Sequence, residues 1–101
     1  MIDKLYDMVS KFLVHAKDDH VGVATYDIKK GEEVEGVYLD NNQKSSLKAI
    51  EDISLGHKVA LRDMKKGEKV IEYGEPVGQV TKDIKKGEHV HVHNIKTMRW
   101  Q

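Results

Sequence analysis

Three histidines alternate with valine in His89-Val90-His91-Val92-His93, and Asn94 follows them. Imidazole is at once a metal ligand, a general acid or base, and a hydrogen-bonding group that titrates near neutral pH. On a pleated strand alternate residues share a face, so His89, His91 and His93 are predicted to point one way while Val90 and Val92 point into the core. Neighbouring members of the set then stand roughly 6.5–7 Å apart at Cα, from which two rings can converge on one ion, whereas the outer pair stands about 13 Å apart. At most two are expected to share a metal unless a bulge intervenes. Zinc, iron or manganese accepts imidazole nitrogen, while Asn94 with a carboxylate offers oxygen. Two histidines leave a coordination sphere half filled, which favours a site shared with a second chain over one complete in this chain. The alternative is that the rings only hydrogen-bond one another's loops or meet a partner's carboxylates.

The histidine run follows the last of four copies of one pattern: Asp27-Ile28-Lys29-Lys30-Gly31-Glu32-Glu33-Val34, Asp52-Ile53-Ser54-Leu55-Gly56-His57-Lys58-Val59, Asp63-Met64-Lys65-Lys66-Gly67-Glu68-Lys69-Val70 and Asp83-Ile84-Lys85-Lys86-Gly87-Glu88-His89-Val90. Each reads as a turn feeding a strand. The Asp can bond the amides after it, the apolar residue tucks beneath the turn, and Gly supplies the positive φ that a Cβ resists. His57-Lys58 stands where the other copies have Glu-Glu, Glu-Lys and Glu-His. Turn geometry does not require that change, which points to contact with an anionic ligand or a partner surface; the alternative is an ordinary solvated turn. Arg62 and Asp63 can pair with each other, or Arg62 can fork onto a carboxylate with its planar donor set. Lys29-Lys30, Lys65-Lys66 and Lys85-Lys86 follow the repeat and are read as solvated.

The elements that must position these groups are mostly strands. Ile2, Leu5, Tyr6, Val9, Phe12 and Leu13 recur at helical spacing and predict a short amphipathic helix, or a helix giving way to a strand at Phe12-Leu13-Val14. Beyond it the period changes to two. Val21–Tyr26, Glu35–Leu39, Val59–Leu61, Val70–Tyr73, Pro76–Val80 and Val90–Val92 are short, β-branched and bounded by turn residues. They suit a compact all-β domain, an irregular barrel in which several loops converge. Asp40–Ser46 is polar and is read as an exposed loop, and Tyr73-Gly74-Glu75-Pro76 as a tight connection. The copies of the turn are unequally spaced, which argues against a solenoid. The organisation expected is an N-terminal helical extension over residues 1–11 and one domain over 12–101.

Composition narrows the chemistry. The chain has 101 residues, enough for one small core, with 17 basic and 17 acidic side chains that cancel. No basic face for nucleic acid is indicated, and the aromatic residues are scattered rather than interleaved with cations. Cysteine is absent, which removes disulfides, thiolate catalysis and Cys-ligated zinc. No apolar run is long enough to span a bilayer, and Asp3, Lys4, Asp7 and Lys11 interrupt any signal peptide, so the chain is read as cytoplasmic, with no membrane partner. No glycine-rich phosphate loop or nucleophile elbow is present.

Gly56-His57-Lys58-Val59-Ala60-Leu61-Arg62-Asp63, Tyr73-Gly74-Glu75-Pro76-Val77-Gly78 and Gly87-Glu88-His89-Val90-His91-Val92-His93-Asn94, in this order, closely resemble the small domain of the altronate/galactarate dehydratase family. That resemblance covers roughly Phe12 to Trp100 and implies a SAF domain of β-clip fold, as in sialic acid synthases and type III antifreeze proteins. It implies a free-standing small subunit beside a large catalytic dehydratase subunit, as in two-subunit altronate dehydratases; the sulfolactate sulfo-lyase small subunit, whose start Phe12-Leu13-Val14-His15 resembles, is the alternative. The implied reaction is elimination of water or sulfite β to the carboxylate of a sugar acid or hydroxy acid, with a divalent metal such as iron or manganese in the complex. His57, Lys58 and Arg62 are then the catalytic candidates, His91 and His93 the metal candidates, and His89, Asn94 and Tyr73 the substrate- or partner-facing ones. A further alternative is a non-catalytic module that binds a sugar acid or anchors an assembly.

Overall fold

The computed structural model describes residues 10–98. Among them there are nine strands and no helix: β1 (Phe12–Val14), β2 (Val21–Ala24), β3 (Glu33–Tyr38), β4 (Lys44–Lys48), β5 (Lys58–Ala60), β6 (Lys69–Glu72), β7 (Glu75–Val80), β8 (His89–Val90) and β9 (Ile95–Thr97). The helix expected at the N-terminus falls largely on residues 1–9, outside the described residues, and Phe12–Val14 takes the strand alternative. A six-stranded sheet of order β4-β3-β1-β2-β5-β8 curls into a half-barrel beside a three-stranded sheet of order β6-β7-β9. This is the all-β, β-clip architecture that the resemblance implies. No helix among the described residues is long and apolar enough to cross a membrane.

The four repeated turns organise this fold in two reciprocal pairs. Ile28 and Ile53 exchange both backbone hydrogen bonds at 2.8 Å, as do Met64 and Ile84. The aspartates act across each pair rather than within their own turns, which corrects the local expectation. Asp52 accepts the Lys30 amide at 2.8 Å and Asp27 the Leu55 amide at 2.9 Å; Asp83 accepts from Lys66 and Asp63 from Lys86, both at 2.8 Å. Each turn glycine has φ between 86° and 95°, inside the left-handed region. Its amide likewise donates across the pair: Gly31 to Ala49, Gly56 to Ala24, Gly67 to Val80 and Gly87 to Ala60. Beneath the turns Ile28, Ile53, Met64 and Ile84 are buried, as are the valines at the second position of the following strands.

Two apolar clusters result. Phe12, Val14, Ile28, Leu47, Ile53 and Val59 belong to one, and Val21, Met64, Val70, Val80, Ile84 and Val90 to the other. Phe12 lies across Gly22 and Gly36 on the neighbouring strands, and a Cβ at Gly36 would collide with its ring. The polar stretch expected as a loop over Asp40–Ser46 is shorter than that: Lys44–Lys48 forms β4, an edge strand with only Leu47 buried. Tyr73 and Gly74, with φ of 58° and 74°, make the two-residue turn between β6 and β7. Both positive values suit a type I′ hairpin, unusual for tyrosine. Buried Asp19 holds that turn by accepting the Tyr73 amide at 2.9 Å and the Gly74 amide at 3.1 Å.

Gly36→Ala is expected to cost about 1–3 kcal/mol, because the Phe12 ring must leave its seat. Gly31→Ala, whose Cβ would meet open space, is expected to cost about 1 kcal/mol from backbone strain alone. Urea denaturation of both variants measures the difference.

Candidate functional site

The histidine segment is not one continuous strand. β8 ends at Val90, and residues 91–94 form a turn. Val92, expected in the core, is therefore 80% exposed, while Val90 remains buried. The turn is closed by Asn94, whose side chain is fully buried. Its Oδ1 accepts the His91 amide at 2.9 Å, and its Nδ2 donates to the His89 carbonyl at 2.8 Å and to Glu88 Oε2 at 3.3 Å. Asn94 thus sets the backbone of the site, with its polar atoms spent inside the turn.

The turn gathers the imidazoles more closely than a pleated strand would. Ring centroids of His89 lie 5.5 Å from His91 and 5.3 Å from His93. His57 joins them from the position just before β5, with centroids 5.1 Å from His89 and 5.0 Å from His91. Register explains its arrival: Lys58 pairs with Val90 and Val59 with His89 in antiparallel β5 and β8, so extending the pairing outward sets His57 opposite His91. His57 Nδ1 and His89 Nε2 are 2.9 Å apart and share a hydrogen bond.

The repeat explains why the His57 ring is available. In the other three copies the residue after the turn glycine is a glutamate that accepts its own turn's amide: Glu32 from Lys29 at 3.0 Å, Glu68 from Lys65 at 2.6 Å and Glu88 from Lys85 at 3.0 Å. His57 occupies that position and turns its ring to His89 instead.

Among the described residues, two groups of donor atoms are close enough to hold a cation. One is His57, His89 and His91; the other is Glu51, His89 and His93; within each the atoms lie within 4.8 Å of one another. The expected pair of His91 and His93 is therefore divided between them, and His89 and His57 take larger parts than their spacing suggested. Glu51 gave no signal in the sequence, and one of its oxygens already accepts the His89 amide at 2.7 Å. Burial pushes the His89 imidazole below its ordinary pKa, and the neighbouring rings of His57, His93 and His91 push the same way against Glu51. A neutral ring keeps a lone pair for a metal or a proton.

Lys58 is aimed elsewhere. Its ammonium lies 3.6 Å from buried Glu72, which is also 3.7 Å from His15. His15 stacks on exposed Tyr73 with centroids 3.8 Å apart. Lys58 and Tyr73 thus belong to a second polar cluster with His15 and Glu72, residues far apart in sequence that no local pattern connects. Arg62 is separate from both clusters. It lines a hollow with Asp18, Asp19, His20 and Tyr38 and among the described residues hydrogen-bonds only the Asp63 carbonyl, at 3.4 Å, while the Asp63 carboxylate caps the Lys86 amide. The arginine–aspartate pairing weighed from the sequence does not form.

A family profile, the altronate/galactarate dehydratase SAF domain, matches residues 10–98. The chain belongs to that family. This SAF domain is 41% identical over 90 residues to the (2R)-sulfolactate sulfo-lyase subunit alpha of Chromohalobacter salexigens, across 88% of this chain and 96% of that subunit. To the protein of the same name in Paracoccus pantotrophus it is 47% identical over 64 residues, 63% of this chain and 96% of that subunit. It is also 38% identical over 89 residues to altronate dehydratase of Bacillus subtilis, across 88% of this chain but only 17% of that enzyme.

Asn94→Ala in this SAF domain is expected to cost about 2–3 kcal/mol in urea denaturation, since the His91 amide loses its acceptor. A pH dependence also follows. Burial and then Arg62 lower the pKa of His20, against the pull of Glu68 and Asp19, and His20 Nδ1 accepts the Ile71 amide at 3.3 Å. The unfolded chain binds that proton first, so the stability concerned is present above about pH 6.5 and is lost as pH falls below it. Thermal midpoints in chelator-containing buffer should drop from about pH 7.5 to about pH 5.5, and His20→Gln should flatten the slope.

Proposed function

We propose that this chain is the small subunit of a lyase acting on a sugar acid or related hydroxy acid, and that its imidazole face completes or covers the active site of a separate large catalytic subunit. The single observation that carries this reading is the cluster of half-buried His57 and His89 with exposed His91 and His93, flanked in sequence by apolar residues that are also exposed. Leu55 precedes His57 by two positions, Ile50 precedes Glu51, and Val92 separates His91 from His93; all three side chains lie open. An apolar rim around a polar centre suits a surface that another chain covers. A rim alone is too open to exclude water from a reacting acid, so the enclosing wall is assigned to the partner.

The reaction class is elimination β to a carboxylate. A base removes the proton next to the carboxylate and the leaving group departs from the neighbouring carbon. For water as leaving group, a protonated imidazole on this face hands its proton to the departing hydroxyl and returns to the neutral form. His93, an exposed ring outside the His57, His89 and His91 group, is best placed for this step. Lys96, exposed on the hollow that His57 and His91 line, favours approach of an anionic acid.

Altronate-type dehydration is the first reading. A sulfo-lyase role, with sulfite leaving, is supported by the similarity to two sulfolactate sulfo-lyase alpha subunits across 96% of each.

The test mixes the full chain with the large chain of each enzyme type and follows 2-keto acid formation from altronate and sulfite release from sulfolactate. Turnover of one acid is expected to require this chain and to fall about 100-fold when His91 and His93 are both changed to Gln. Undiminished turnover of both acids without this chain sinks the proposal, and unchanged turnover in the double variant leaves only an assembly role.

A further inference from the structure

We infer that His57, His89 and His91 form a three-nitrogen site for one divalent transition-metal ion, held by this chain alone and left open to a further oxygen ligand. Three observations carry this. The first is distance. The 2.9 Å between His57 Nδ1 and His89 Nε2 is close to the separation of about 3 Å that two ligands on one ion adopt when each nitrogen is roughly 2.0–2.1 Å from the metal. The ion would take the place of the proton these nitrogens share. His91 brings a third donor within the same 4.8 Å limit, and among the described residues the ring nitrogens of His57 and His89 have no other hydrogen-bond partner.

The second observation is what the repeat gives up. Three copies of the turn use glutamate to satisfy an amide, whereas the copy at His57 forgoes that bond and directs its ring into the cluster. The departure from the repeat occurs at the position that β5–β8 register sets opposite His91. The competing group of Glu51, His89 and His93 has two imidazoles and no contact like the 2.9 Å approach of the His57 and His89 ring nitrogens; one Glu51 oxygen accepts the His89 amide at 2.7 Å.

The third is the open side. His57 and His91 line a hollow of about 520 Å³ together with Val90, Val92, Ile95 and Lys96. Three protein ligands with an accessible remaining position are the arrangement of reactive rather than purely structural metal sites. Exposed Lys96 at the same hollow favours an anionic oxygen donor, a carboxylate of substrate or of a partner side chain. The donor chemistry also ranks the ions. Neutral imidazoles without carboxylate or thiolate suit zinc, iron(II) and cobalt(II), serve manganese less well, and give magnesium and calcium nothing to prefer.

The test uses the metal-stripped full chain and needs no partner, so its outcome is independent of the two-chain assay. Zinc(II), cobalt(II), iron(II), manganese(II) and magnesium(II) are titrated separately by calorimetry, with cobalt also followed by its visible absorption. One equivalent of zinc or cobalt is expected to bind, manganese at least about tenfold more weakly, and magnesium not at all. His57→Gln and His91→Gln should each weaken cobalt binding by about tenfold or more, while His93→Gln and Glu51→Gln should leave it unchanged. Circular dichroism checks the fold of each variant. If His57→Gln does not fold, His91→Gln, on an exposed ring, decides alone. Absence of binding overturns the inference, and so does binding that survives His91→Gln or is lost in His93→Gln or Glu51→Gln.

Discussion

A turn leaves backbone amides exposed at its apex, and in this protein those amides are met by the aspartate of another turn distant in sequence. Asp27 and Asp52 cap each other's turns, and Asp63 and Asp83 do the same. Because each aspartate needs its partner turn to be in place, the local structure and the chain topology form together. The bonds are individually modest, near 1 kcal/mol, but they fix the entry points of strands whose first valines are buried beneath them. Short strands with little pairing of their own, such as two-residue β8, depend on this framing.

The same framing makes one departure productive. When a pattern is used four times for structure, a copy that drops a structural bond releases a side chain from a fixed backbone position. His57 is that side chain. It is held by an ordered turn and a paired strand, yet it owes nothing to the turn's own amides, so its ring meets His89 and His91. Asn94 performs the complementary task on the other strand, ending β8 sharply enough to bring His91 and His93 back toward His89. Rigid backbone and available rings are both required of a site that is to bind a ligand in one geometry.

Much of this was legible in the chain because the turn pattern, its glycines and its valines report conformations that few other residues tolerate or favour. The all-β class and the family followed from these and from the three ordered motifs. What the sequence concealed has physical reasons. Alternation in His89–His93 looks like a strand, and nothing local reveals that Asn94 folds its amide inward to close a turn. The polar composition of Lys44–Lys48 resembles a loop, yet an edge strand needs only one buried side chain, and Leu47 supplies it. The aspartate exchange, the His15–Tyr73 stack and the approach of Glu51 to His89 join positions that only the folded topology brings together. Lys58 and Arg62 sat beside His57 in the same motif, but the first turns to Glu72 and the second lines another hollow.

The β4 edge bears on how this domain can associate. A free strand edge invites foreign strands to add to it, and solvated lysines along such an edge discourage that addition. Lys44 and Lys48 lie exposed at the two ends of β4, with Ser46 exposed between them. That border of the sheet is thereby guarded against self-stacking and fibre growth. The other edge strand, β8, carries imidazoles in place of lysines, so the architecture discourages indiscriminate strand addition along β4 while leaving the imidazole edge receptive.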